Sequence, residues 1–275
     1  MATRTDVLPN LPAATSVGTL IPALSLWKRE VVRFYRNRSR VIGVIASPLL
    51  FWVVIGSGFG TSFRGNGGTG QNYLTFFYTG ALTMIVLFTA IFTMMSVIED
   101  RNEGFLLSVL VAPVSRSVIV LGKVLGGATL AAGQGIIFLV LAPFLGVHFT
   151  LATFGLAALT IFLIAFSLTA LGFIIAWPMD STQAFHAIIN LFLIPLWLLS
   201  GAMFPVSRAS FWIAMIMRAN PLTYGTEALR GLLFPGSAGI DFSLPVSLGI
   251  LAGFTVIMFA IAFAVANRRT TKPAA

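Results

Sequence analysis

The chain has 275 residues, 57% of them hydrophobic and only 9% charged, with a net charge of +9 and no cysteine. A soluble domain carries about 25% charged residues, so the bilayer is the solvent for most of this chain, and disulfide, thiol and cysteine-ligated metal chemistry are excluded. The positive charge does not point to nucleic acid: the bases cluster beside apolar runs, as the positive-inside rule predicts, and no soluble domain offers the basic face a nucleic-acid binder needs.

Residues 1–19 are polar and Pro-containing and predict a flexible tail. With Pro9 and Pro12 and no compact apolar core, the first 21 residues do not resemble a cleaved leader. Over 20–40, Leu24, Trp27, Val31, Phe34 and Tyr35 recur at helical spacing, while Lys28, Arg29, Arg33, Arg36 and Arg40 take much of the remaining circumference. This predicts an amphipathic helix lying in the membrane interface, with Lys28, Arg29 and Arg33 toward anionic lipid heads. A short soluble core helix is the competing account, but no soluble core is visible to receive it.

Six spans are predicted, over about 41–60, 73–98, 124–147, 152–177, 184–203 and 244–266, each close to the roughly 20 apolar residues a membrane helix needs. Pro48 is tolerated in the first if neighbours satisfy the freed carbonyl. A Gly-rich loop with Arg64 joins the first two spans, and a polar turn containing Asp180 joins the fourth and fifth. The pairs Gly56/Gly60, Gly122/Gly126 and Gly249/Gly253 have the spacing that lets helices approach closely. Residues 204–243 are too apolar for a free loop and too short in each piece to cross. They predict two short re-entrant helices, the second starting near Asn220 and Pro221 and carrying Tyr224 and Arg230. With six spans, 13 of the 17 bases fall on the side of the termini, which predicts cytoplasmic termini and a cytoplasmic 99–123 block.

No nucleotide-binding, zinc-protease or nucleophile-elbow motif occurs. Ion-coupled carriers usually hold charge at mid-membrane, and the six predicted spans carry essentially none. His186, near an end of the fifth span, reads as a buried neutral histidine satisfied by a neighbour. No inverted repeat with broken helices in both halves is visible. A source of work outside the chain is therefore expected.

The polar block 99–123 is where that work would enter. Asn102–Val111 predicts a short helix with Phe105, Leu106, Val109 and Leu110 on its apolar side, Glu99, Asp100 and Glu103 toward its positive N-terminal end, and Pro113 ending it. From the residues alone two accounts stand level: a docking helix for a soluble partner, or a solvated connector whose charges hold it out of the bilayer.

The run IEDRNEGFLLSVLVAPVSRSVIVLGK (98–123) resembles the cytoplasmic loop of type-2 ABC exporter permeases, with its acid–Arg pair, apolar helix, Pro-Val-Ser-Arg and following Gly-Lys. Asn220-Pro-Leu-Thr-Tyr followed by Ala-Leu-Arg230 is similar to that family's external segment before the last span, and the basic helix before the first span also fits. The likeness covers nearly the whole chain, and its nearest branch holds the daunorubicin-resistance-type drug permeases and the polysaccharide and lipo-oligosaccharide permeases. It implies an all-α integral membrane protein with a single transmembrane domain over 1–275. The chain would bind no cofactor or metal, would act as a homodimer in the bacterial inner membrane, and would pair with two copies of a separate ATP-binding subunit that holds ATP and Mg²⁺. The resemblance further implies that 99–123 couples to that ATPase, with Glu99, Asp100, Arg101, Glu103 and Arg116 as charges that fix register and Phe105, Leu106 and Leu110 as apolar anchors. The helix of Trp27, Lys28, Arg29 and Arg33 would make a second contact. The substrate path would lie between spans one, two and five, with Phe51, Trp52, Phe76, Phe77, Phe88 and Phe192 as candidates. The 25 phenylalanines suit an amphipathic drug or lipid, while Trp52, Tyr73, Tyr78, Trp197 and Trp212 are thin material for a sugar track. An ion-coupled carrier and a non-transporting membrane scaffold are the competing readings.

Overall fold

A computed structural model describes residues 20–36, 38–58, 73–111, 115–236 and 240–268. The predicted tail, the Gly-rich loop with Arg64 and the stop at Pro113 lie outside the described residues. Eleven α-helices occur among those described: α1 (Leu20–Arg36), α2 (Arg38–Gly58), α3 (Tyr73–Thr93), α4 (Met95–Asn102), α5 (Phe105–Val111), α6 (Arg116–Leu139), α7 (Leu151–Ala176), α8 (Thr182–Trp197), α9 (Phe211–Ala219), α10 (Pro221–Leu233) and α11 (Leu244–Asn267).

Among the described residues, five helical stretches are long and apolar enough to cross a membrane: 73–102, 116–139, 151–176, 182–202 and 244–267. A shorter apolar stretch, Leu49–Gly58, lies within α2 where the first span was expected. The third span differs from its expected range of 124–147: α6 begins at Arg116 and ends at Leu139, so Lys123 sits inside a helix rather than in a loop. Between Arg116 and Leu125 there is no proline and a single glycine, so the helix runs through the lysine with the apolar residues on either side of it.

The central helix is α3, buried at every position from Phe77 to Leu87 and packed against α2, α6, α7 and α10. Its hydroxyls are satisfied within the helix: Thr83 and Thr89 donate to carbonyls of the preceding turn, and Thr93 to that of Ala90. This lets threonine sit in a dry core without an orphan donor. The Thr89 hydroxyl also stands 2.6 Å from the Gln134 side-chain amide on α6.

Two faces result. One gathers α1, α4, α5, the start of α6, the α7–α8 turn and the end of α11: Arg101 reaches the carbonyls of Trp177 and Met179, and Arg116 those of Ala266 and Arg268. The opposite face holds α9, α10 and the start of α11.

Helix α1 lies on α6. Its buried positions, Ala23, Leu26, Glu30 and Phe34, form one stripe. They meet α6 where it has no side chain: a Cβ on Gly122 would stand 2.7 Å from that of Leu26, and one on Gly126 would stand 2.8 Å from that of Glu30. The Gly122/Gly126 pair is therefore the seat of α1. The expected apolar stripe of α1 is corrected: Phe34 turns inward and Trp27 donates to Thr129 at 3.0 Å, but Leu24 and Tyr35 face outward. Arg29 and Arg33 are likewise turned toward protein carboxylates rather than lipid heads. The cause is the acid cluster at the end of the central span, Glu99, Asp100 and Glu103, which these cations neutralise.

Candidate functional site

The site is built where α1, α4 and α6 converge. Arg29 makes a two-pronged contact with Asp100, Nη1 to Oδ2 and Nη2 to Oδ1, both 2.8 Å. Arg33 bridges Asp100 at 2.9 Å, Glu99 at 2.8 Å and Glu103 at 3.5 Å. Lys123 Nζ lies 2.7 Å from Glu30 Oε1 and also donates to Asp100 and to the Ser96 hydroxyl. Ser96 in turn donates to Glu30 Oε2 at 2.8 Å. Lys123 is 1% exposed and Asp100 fully buried. Three cations thus face four carboxylates with their donors and acceptors interlocked, the condition under which buried charge is tolerated. The hydrogen bond to Asp100 holds the Arg29 guanidinium above its ordinary value.

Buried charge thus lies just beyond the predicted ends of the second and third spans, where the helices run on past them. The register charges are also re-placed. Glu99 and Asp100 lie on α4, the continuation of the central span, and Glu103 follows at its end, rather than in the first turn of a helix over 102–111. The chain breaks at Gly104, whose φ of 77° lies in the left-handed region that glycine adopts without strain, and α5 starts only at Phe105. The α4 acids are neutralised by α1 and α6 within the same chain. Arg101 binds the α7–α8 turn, including Asp180 at 3.2 Å, and Arg116 caps the carbonyl end of α11. Both are structural ties.

Helix α5 is held from inside. Leu106 is 4% exposed, and the Arg29 guanidinium stands 3.8 Å above the Phe105 ring. Two of the expected anchors thus fasten α5 to its own chain; the side chain of Leu110 lies outside the described residues. What α5 presents outward is Val111, 86% exposed, with Ser108 and Glu103 beside it. Lys28 of α1 is also exposed. Sequence reasoning missed Glu30 and the burial of Lys123. The available signals were a lone acid within a basic helix and a lysine between Gly122 and Gly126.

The aromatic candidates do not form one surface. Phe77 is buried in a stack with Tyr73 at 5.8 Å, and Trp52 packs edge-on to Tyr78 and Phe138 while donating to the Leu74 carbonyl. Phe76 lies under the Arg230 guanidinium at 4.1 Å. Phe51 is exposed beside Trp197, Phe88 packs on Phe92, and Phe192 is exposed on α8. His186, expected to be buried, is exposed with its ring 5.2 Å from Phe92, because it falls on the outward side of α8 next to buried Phe185.

The segment before the last span repairs a broken helix. After Pro195 in α8, Leu199 leaves helical geometry and Gly201 takes φ 74°. Asn220 accepts from the Leu222 amide, capping α10, and donates Nδ2 to the Leu196 and Leu199 carbonyls at 2.7 and 3.0 Å. Arg230, buried on α10, donates to the Gly201 carbonyl. Glu227 Oε2 accepts the amides of Asp241 and Phe242, tying the approach to α11 onto α10. Irregular backbone at membrane depth survives only with such partners.

A bundle of spanning helices, a basic helix locked to the central span and a short helix offered at one face define a polytopic membrane permease. A profile of the ABC-2 type transporter family matches residues 23–234, and the chain belongs to that family, as the membrane subunit of an ABC transporter. It is similar to the putative transport permease ycf38 of Cyanophora paradoxa, 28% identical over 209 residues that cover 75% of this chain and 72% of that protein. Nodulation protein J of Rhizobium leguminosarum bv. trifolii is 26% identical over 250 residues (90% and 93%), and the inner membrane transport permease YadH of Escherichia coli K12 is 25% identical over 248 (89% and 94%).

Proposed function

We propose that this permease exports an amphipathic substrate — a drug, a lipid or a lipid-linked saccharide — by drawing on ATP hydrolysis in a separate subunit. In this reading it is a homodimer in the bacterial inner membrane with both termini cytoplasmic. It pairs with two ATP-binding subunits, which hold ATP and Mg²⁺. The observation that carries the reading is the mounting of α5: sealed inside by Leu106 and Phe105, and open outside at Val111, Ser108 and Glu103. A push on α5 reaches α4 through Arg29, which grips both Asp100 and the Phe105 ring. Helix α4 continues the central helix α3, so the push passes to the core with little slack. The name of the Escherichia coli K12 relative YbhR, a probable multidrug ABC transporter permease, 27% identical over 150 residues, supports a small amphipathic cargo. The exposed Phe51 and Phe192 are the aromatic candidates best placed to meet it.

The test is co-purification with a co-expressed ATP-binding subunit. Val111→Asp with Ser108→Asp changes only exposed positions of α5 and is expected to reduce recovery of the ATPase at least about tenfold, the size expected of an interface anchor. Equal recovery with both variants would remove α5 as the docking element. Gradient-driven transport in liposomes lacking the ATPase would favour the ion-coupled reading instead.

A further inference from the structure

On the face opposite α5, a groove runs between the α9–α10 junction and α11. Its cavity of about 390 Å³ is lined by Arg218, Tyr224, Ile250, Gly253, Phe254 and Ile257, among others. Ile250 and Ile257 lie about 9 and 20 Å along α11 from Leu244, at 1.5 Å per residue. The α11 wall of the groove therefore runs inward along the span from near its start. Its α11 wall is outward-facing: Ile250, Gly253 and Ile257 are all exposed. A Cβ on Gly253 would meet nothing within 4 Å, so the missing side chain leaves this wall open.

The groove holds one cation. Arg218 is exposed, and among the described residues no carboxylate stands within ion-pairing distance of it. Its backbone is fixed: its carbonyl accepts from the Tyr224 hydroxyl at 2.8 Å, and the Tyr224 ring packs on Phe242 at 4.8 Å. An unpaired arginine beside an apolar, lipid-facing wall calls for an anion, and a guanidinium fork matches phosphate oxygens two at a time. The α11 wall beside it, Ile250, Gly253, Phe254 and Ile257, is apolar.

We propose that this groove binds a glycerophospholipid of the leaflet distal to α5, its phosphodiester on Arg218 and an acyl chain along Ile250, Gly253 and Ile257. The site stands apart from the coupling face and does not depend on the direction of transport. It makes the re-entrant segment a lipid-contacting element held by charge.

The test reconstitutes the full chain in phosphatidylcholine vesicles with a trace of phosphatidylglycerol carrying a diazirine on its acyl chain, and maps crosslinks by mass spectrometry. Leu191, exposed on α8, is the bulk-lipid reference. Labelling at 250–257 is expected to exceed that at Leu191, and Arg218→Gln to lower it about fivefold, the weight of one basic residue at a lipid phosphate. Arg218→Lys should keep most of it, and Gly253→Trp should abolish it by filling the groove. Diacylglycerol with the same diazirine, lacking phosphate, should label both places alike. Because each variant is read against Leu191 in the same molecule, general misfolding is distinguished from loss of the site. Equal labelling at both places, unchanged by Arg218→Gln, overturns the proposal in favour of bulk lipid. Absent labelling in the wild type, with a dimer that Gly253→Trp disrupts, overturns it in favour of a second copy.

Discussion

Replacing Lys123 by Met isolates the worth of the ionic seat. The side chains are close in length, so packing is nearly kept while the buried cation between Glu30 and Asp100 is lost. Asp100 retains Arg29 and Arg33; Glu30 retains Ser96 and a 3.4 Å contact to Arg29. Removing one partner of a buried pair costs about 3–5 kcal/mol. Because both carboxylates keep other partners, the lower end applies, about 3 kcal/mol. At about 2–4 °C per kcal/mol for a chain of this size, the melting midpoint of the purified chain in detergent should fall by about 6–12 °C. Glu30→Gln with Lys123→Met removes both charges and should recover about half of that loss, because no uncompensated carboxylate then remains on α1. The assay is thermal unfolding of the wild type, both single variants and the double variant under one set of conditions. If Lys123→Met melts within a degree of wild type, or if the two substitutions simply add, the claim that these charges hold one another in the core is wrong.

Three further outcomes are expected. Gly126→Leu would drive a side chain into Glu30, whose Cβ would stand only 2.8 Å from a Cβ placed on the glycine, so α1 should lift from α6; faster proteolysis within α1, absent in Gly133→Ala where the space is open, checks this. Asn220→Ala strips the α10 cap and the partner of the Leu196 carbonyl, and should cost about 2 kcal/mol or more, read as an earlier thermal transition. Glu227→Ala should speed hydrogen exchange at the Asp241 and Phe242 amides roughly tenfold, while Glu227→Gln, which keeps an acceptor oxygen, should leave them closer to wild type.

The helical membrane architecture was legible because apolar runs of spanning length leave few alternatives in hydrocarbon. The short helices α9 and α10 were legible too, from Pro221 beginning one and the apolar piece 211–217 preceding it. The side of α1 that packs was not. Its apolar residues suggested one stripe, yet burial follows Ala23, Leu26, Glu30 and Phe34, because the glycines that admit α1 lie about 100 residues later in α6. Lys123 was unreadable for the same reason: a lysine in an apolar run signals either a helix end or a buried ion pair, and only the position of Glu30 decides between them. At the candidate site, the acids were found by their density, but their partners are distant in sequence and leave no local mark.

Glu30 and Lys123 are separated by 93 positions. At about 5–20 residues per second of synthesis, their contact is delayed by roughly 5–20 s after α1 emerges. Arg29 and Arg33 meet their α4 acids within that interval, but Glu30 waits for the lysine until its end. The seat is thus an assembly checkpoint, closed only when α6 is inserted beside α3. A nascent chain stalled between α4 and α6 therefore leaves Glu30 on the packing stripe of α1 without its buried cation.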